Sequence, residues 1–200
     1  MAVYTEVSED EARALLHRLG LGELSSLRGI EGGIENTNYC ASTTESDWVL
    51  TLFERLTHAQ LPFYLHLMKH LAQHGVPVPE PRAKPDGAPV PAGEDDLLHT
   101  VCGKPAALVN RLRGKSELHP GPAHCAAVGD MLARAHLAAR DYDRRQPNLR
   151  GLAWWNETVP VVLPYLDAPQ TALIRAELAF QNHVADSSAY AALPRGPVHA

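Results

Sequence analysis

Apolar residues change period several times along the chain, and each change marks an element. Ala12, Leu15, Leu16 and Leu19 fall at i, i+3, i+4 and i+7. Ser8-Glu9-Asp10-Glu11 precedes them as a capping box, with Ser8 as N-cap and Glu11 reaching back, and Gly20 follows as a stop. The pattern predicts a short amphipathic helix over 9–19. Leu24–Ile30 then reads as a strand, Thr37–Thr43 as a second, and Trp48–Phe53 as a third after the Ser46-Asp47 turn. Short turns between three consecutive strands predict an antiparallel meander.

The helical period returns over 59–74, where Leu61, Tyr64, Leu65, Met68, Leu71 and Ala72 make one stripe and Gly75 ends it. Val76-Pro77-Val78-Pro79-Glu80-Pro81 must be extended, because a residue before proline is pushed out of the helical region. Residues 82–96 hold Pro85-Asp86-Gly87, Pro89, Pro91 and Gly93 and read as a turn-rich hairpin or loop. Lys104–Leu112 reads as a short buried strand that Arg113-Gly114 breaks. Pro122 suits a helix start, and Val128, Met131, Leu132, Ala135 and Ala139 share one face. A polar, arginine-rich connection (Asp141–Arg150) leads to two more helices near 153–166 and 170–184, then to an extended tail, Leu193–Ala200.

Strands first and helices afterwards define an α+β class with two lobes. Residues 1–109 form a β-rich lobe that includes the helices at 9–19 and 59–74. Residues 110–115 form a hinge, and 116–200 a partial helical lobe. Ligand sites favour such junctions.

Composition adds exclusions. At 45% hydrophobic and 20% charged, the chain can supply a core and is not wholly disordered. The absence of an 18-residue apolar run leaves no transmembrane helix, and the acidic start MAVYTEVSEDEAR does not read as a secretory signal. A net charge of −5 argues against a nucleic-acid binder, though not against small phosphorylated ligands. Three cysteines without a CxxC motif argue against a disulfide framework or structural zinc and suit a reducing cytoplasm.

Several features could carry chemistry. Gly32-Gly33 with Asn36-Thr37-Asn38 makes a bare turn between two strands. Such a turn brings backbone N–H groups close to phosphates, and it also reads as a plain hairpin turn. Ala107–Leu112 ends at the lobe junction, where a strand can offer its backbone edge to an adenine ring or simply be buried. His66, His70 and His74 follow one another at i, i+4 and i+8. They project opposite the apolar stripe, beside Lys69 and Gln73 and with no carboxylate partner in view, so they read as a solvated face and not a metal site. The cysteines lack a nearby histidine pattern for a nucleophile, and Trp154-Trp155 reads as a packing anchor.

Several segments together resemble one family. In order they are GGIENTNY (32–39), VLTLFERL (49–56), LPFY (61–64), GVPVP (75–79), GKPAALV (103–109) and RGLAWW (150–155). They are similar to bacterial homoserine kinases of the aminoglycoside-phosphotransferase/choline-kinase type, over nearly the whole chain. The resemblance implies a protein-kinase-like fold and transfer of the ATP γ-phosphate, with Mg²⁺, to the hydroxyl of L-homoserine on the route to threonine. Kinases of another small hydroxyl compound (an amino sugar, choline or a methylthio-sugar) are the nearest alternative, and a non-catalytic nucleotide-binding module is the next. By the resemblance, Gly32, Gly33, Asn36, Thr37 and Asn38 would cover the ATP phosphates, and Val109, Asn110, Arg111 and Leu112 would hold adenine.

Two departures accompany it. Thr51 stands where kinase-like folds carry a phosphate-pairing lysine, which makes Arg55 the candidate phosphate contact. Pro194–Ala200 matches the start of the family's catalytic loop, reached at His199, and the loop's Asp, its Asn and the later metal-binding Asp are not among the 200 residues. The expectation is a piece of a longer kinase with little or no turnover of its own and with apolar helix faces left uncovered.

Overall fold

The computed structural model describes residues 4–85, 90 and 95–197. The chain forms two compact units, the second being Arg145–Gly196 and the first the residues up to Arg144 together with Pro197. The first therefore runs beyond the 110–115 segment and includes the helix that begins at Pro122.

The first unit opens with α1 (Glu9–Leu19). Ser8 Oγ accepts from the Glu11 N–H while Glu11 reaches back to the Ser8 N–H, and Gly20 closes the helix in the left-handed region at φ 64°. Its apolar stripe, Ala12, Leu15, Leu16 and Leu19, is buried as the spacing predicts. Five strands follow: β1 (Leu24–Gly29), β2 (Asn36–Thr43), β3 (Asp47–Phe53), β4 (His99–Val101) and β5 (Lys104–Asn110). They form one antiparallel sheet in the order β1-β2-β3-β5-β4. The first three are the expected meander. β5 adds to its β3 edge, and β4 hairpins back on β5 through Cys102-Gly103, both at positive φ as a two-residue primed turn requires.

Alternation splits the sheet into two faces. Tyr39, Ala41, Trp48, Leu50, Leu52, Ala106 and Leu108 pack with α1 in one core. On the other face, Ala107 joins Leu61 and Leu65 of α2 (Leu61–Gln73) together with Leu97 and Leu98. Residues 80–82 are extended, as Pro81 demands of the residue before it, and run along β5: Arg82 N–H donates to Leu108 O at 2.8 Å, and Pro81 bridges Val109. Most of the turn-rich stretch (86–89 and 91–94) lies outside the described residues, as do Val198, His199 and Ala200. α3 (Pro122–Ala138) ends in a 3-10 turn, Ala139–Asp141.

The second unit contains α4 (Leu152–Val162), α5 (Ala168–Ala185) and the short α6 (Ser188–Ala191). Asp167 caps α5 in a second capping box. Asn156 and Asn182 exchange side-chain hydrogen bonds, both 3.0 Å, between α4 and α5. Neither α3 nor α5 buries a residue fully, and Val128, Leu132, Leu173 and Phe180 are exposed. Among the described residues, no helix is long and apolar enough to cross a membrane.

Candidate functional site

The turn between β1 and β2 is bare, as its glycines suggest. Gly33 sits at φ 109°, a conformation an L side chain rarely adopts. A Cβ on Gly32 would meet nothing within 4 Å. Ile30 N–H donates to Asn38 O at 2.8 Å and closes the base of the turn. Its N–H groups are thus presented on a chain that no side chain of Gly32 or Gly33 covers.

Register places Arg55 at the same end of the sheet. Phe53 pairs with Asn36, the first residue of β2, and Arg55 follows two positions later. It is exposed, and among the described residues it has no hydrogen bond or ion pair. An unpaired cation beside an open glycine turn suits an anion there.

Asn38 and Thr51 face one another across the β2–β3 ladder, and Thr51 Oγ1 donates to Asn38 Oδ1 at 2.7 Å. The residue expected at the place of a kinase lysine is thus half of a neutral hydrogen-bonded pair. The pairing was legible in outline, because alternation puts both residues on one face, but register is needed to set them opposite each other.

Thr37 is a different case. Its side chain is fully buried, and its hydroxyl turns toward the α1 face. Thr37 Oγ1 accepts the N–H groups of Tyr4 (2.9 Å) and Thr5 (3.1 Å) and donates to Glu54 Oε1 at 2.6 Å. Lys104 Nζ donates to Glu54 and, at 2.8 Å, to Thr5 Oγ1. Burial pushes the Glu54 carboxyl up, but hydrogen bonds from Lys104, Thr37 and Thr5 outweigh it and hold it below the usual range. This cluster fastens the N-terminal segment to the sheet. The Thr37 side chain is therefore unavailable to a ligand over the turn, and only its backbone is left for that role. Sequence reasoning passed over Glu54 and Lys104, since they lie far apart in the chain.

The segment expected to hold adenine is pinned at its start and open at its end. Val109 is buried. Asn110 Oδ1 accepts from Glu80 N–H at 2.6 Å, which ties residue 80 to β5 and occupies that side chain. Arg111 N–H donates to Asp47 O at 3.1 Å, and its guanidinium lies 3.4 Å from Asp47 Oδ2. Leu112 is exposed, and among the described residues no backbone hydrogen bond holds 112–115 to sheet or turn. Thr43–Asp47 and Arg111–Gly114 line an open polar depression at that end of the sheet. Register separates the two ends: Asn38, Thr51 and Ala107 lie level, and Val109–Leu112 runs away from the glycine turn. His199, expected at the start of a catalytic loop, lies outside the described residues.

The histidines correct one expectation. His66, His70 and His74 do not form a solvated face without carboxylates. His66 Nε2 lies 2.8 Å from Asp95 Oδ2, and His70 Nε2 lies 3.2 Å from Asp141 Oδ1. Both carboxylates come from segments distant in sequence, which helical projection alone does not show.

The sequence profile of the APH phosphotransferase enzyme family matches residues 26–200, and the chain belongs to that family. Over all its 200 residues it is 64% identical to a homoserine kinase of Polaromonas naphthalenivorans (strain CJ2) and covers 61% of that protein. It is 52% identical over 199 residues to a homoserine kinase of Burkholderia multivorans (strain ATCC 17616 / 249), of which it covers 58%. The chain thus spans about three fifths of the length of the curated relatives it matches. Among solved structures it resembles spectinomycin phosphotransferase APH(9)-Ia, solved in complex with ADP and spectinomycin. The TM-score is 0.54 at 13% identity, covering 96% of this chain and 60% of that one. That likeness concerns the fold, which is α+β and protein-kinase-like as the resemblance implied.

Proposed function

We propose that these residues form the nucleotide-binding wall of an ATP-dependent homoserine kinase, a cytoplasmic enzyme that phosphorylates the hydroxyl of L-homoserine on the route to threonine. The observation that carries this reading is 64% identity along the entire chain to a homoserine kinase. The open glycine turn with unpaired Arg55 at the same end of the sheet supports it.

In this reading Gly32, Gly33 and the backbone of Asn36–Asn38 cover the phosphates, and Arg55 meets their charge. The nucleotide runs along the Asn38–Thr51 face toward Val109, Asn110, Arg111 and Leu112, where open backbone beyond the last ladder bond receives the adenine edge. Positioning and charge neutralisation carry most of the catalysis of phosphoryl transfer, so a wall of this kind supplies a large share of the machinery. Among the described residues Mg²⁺ finds no cluster of three ligating side chains beside the turn. Among the described residues both clusters of three metal-ligating side chains involve the helix of His66 and His70, and Glu54 is committed to Lys104. The ion enters this reading only with the nucleotide it accompanies.

The domain division follows the same reading, with 1–109 as the nucleotide lobe, 110–115 as its hinge and 116–200 as part of the helical lobe. Titration with a fluorescent ATP analogue tests the wall: Arg55→Ala should weaken binding about tenfold, and equal binding overturns it. Homoserine-dependent ADP release, measured with these residues in a chain of the relatives' length, tests the acceptor. Preference for choline or an amino sugar there would remove homoserine and leave the nucleotide site standing.

A further inference from the structure

α2 carries His70 in its last turn, and His74 caps it. The two imidazoles are one helical turn apart, with ring centroids separated by 4.1 Å and planes tilted by 35°. Asp141, at the end of the 3-10 turn after α3, brings Oδ1 to 3.2 Å from His70 Nε2. One ligand atom from each of the three residues lies within 4.8 Å of the other two. From this geometry we propose that His70, His74 and Asp141 bind one divalent cation of the zinc class, with water completing the coordination.

Two imidazole nitrogens and one carboxylate oxygen, with a position left open, are a donor set that zinc accepts, whereas Mg²⁺ prefers oxygen alone. His74 keeps one ring nitrogen for a ligand. Its Nδ1 faces the His70 carbonyl at 2.7 Å, so Nδ1 carries the proton and Nε2 keeps its lone pair. Among the described residues Nε2 of His74 has no partner. His70 Nε2 donates to Ala138 O at 2.7 Å. Binding exchanges that hydrogen bond for a coordinate bond, and the ring proton moves to Nδ1 by exchange with water. The Asp141 carboxylate is largely exposed and has no partner among the described residues besides His70.

The neighbouring cluster of His66, Asp95 and Asp96 is the weaker candidate. Asp95 already accepts the Leu97 N–H at 3.0 Å, and Arg144 stands 3.9 Å from its carboxylate, a cation where a metal would have to enter. The His70 cluster joins the end of α2 to the end of α3, both in the first unit, so an ion there would staple two segments distant in sequence. This inference is independent of the kinase reading.

Calorimetric titration of the chain with ZnCl₂ in chelator-free buffer tests it. The expected result is one Zn²⁺ per chain, weakened at least tenfold by His74→Ala and by Asp141→Asn and unchanged by His66→Ala, with MgCl₂ giving no comparable heat. Both weakening variants alter exposed side chains and leave the His70–Ala138 bond in place. Absence of zinc binding overturns the proposal. So does binding that both variants leave intact, binding that His66→Ala abolishes, or equal affinity for Mg²⁺.

Discussion

Thr37 donates its hydroxyl proton to Glu54 at 2.6 Å while accepting two backbone N–H groups from the N-terminal segment. A residue next to the glycine turn thus spends its side chain on the opposite face. Thr37→Val keeps the shape and removes every one of these bonds. The Tyr4 and Thr5 N–H groups and Glu54 each lose a partner, but Tyr4 is exposed and Glu54 keeps Lys104 and Thr5, so the net cost is about 1–3 kcal/mol. Chemical denaturation should report a loss in that range. Nucleotide affinity, read separately on the folded fraction, should stay within about twofold of the parent.

The two turn glycines should behave differently. Gly33 holds φ 109°, so Gly33→Ala is strained whatever space surrounds it and should cost about 1 kcal/mol or more. A Cβ on Gly32 meets nothing within 4 Å, so Gly32→Ala should leave stability within about 0.5 kcal/mol. A fall in ATP-analogue affinity in Gly32→Ala, at unchanged melting temperature, would mark the new methyl as lying against the ligand. Unchanged affinity would remove the turn from the binding surface.

His99 gives the fold a pH dependence of known sign. Burial pushes its pKa below the ordinary histidine value, and the coulombic effects of Lys84 and Arg18 act in the same direction. The hydrogen bond to Arg82 O and the charge of Asp96 oppose them. The unfolded chain then binds a proton as pH falls below about 6.5 while the folded chain does not. Stability is full above that pH and declines on acidification, until the folded pKa is reached. Melting curves between pH 7.5 and 5.5 should show a shallower decline in His99→Gln than in the parent. Parallel slopes would count against this role for His99.

Thiol labelling should be ordered. Cys125 is exposed and Cys40 is buried. Burial and the Glu11 carboxylate push the Cys102 thiol up to about 11, so little thiolate forms near neutrality. Mass spectrometry after brief iodoacetamide treatment at pH 7.5 should find Cys125 modified first. Earlier modification of Cys102 would show that its contact with Glu11 does not hold.

Local rules carried most of the first unit into view. The Ser8 capping box, the alternation of Trp48, Leu50 and Leu52, and the prolines of 76–81 are each decided by near neighbours in the chain. α2 begins at Leu61, two residues later than its periodicity suggests, because Thr57 O accepts the N–H groups of Gln60 and Leu61 in a preceding turn. β5 stops at Asn110 and not Leu112, because β3 begins at Asp47, whose carbonyl takes the Arg111 N–H and leaves no strand residue opposite Leu112. What stayed hidden depends on meetings across long sequence distances: Lys104 with Glu54, Asn110 with Glu80, His70 with Asp141. None of these has a local signature. The open turn at Gly32 was readable from residue type alone, and the burial of Thr37 beside it was not.

β5 is flanked on both sides, by β3 along one edge and by β4 and residues 80–82 along the other. A ribosome makes the three-strand meander well before it makes β5. At roughly 5–20 residues per second, the β3 rim stays open for several seconds, a template for any stray extended chain nearby. The time of greatest exposure to misassembly for this sheet therefore falls during translation, and it closes when Asn110 clears the exit tunnel.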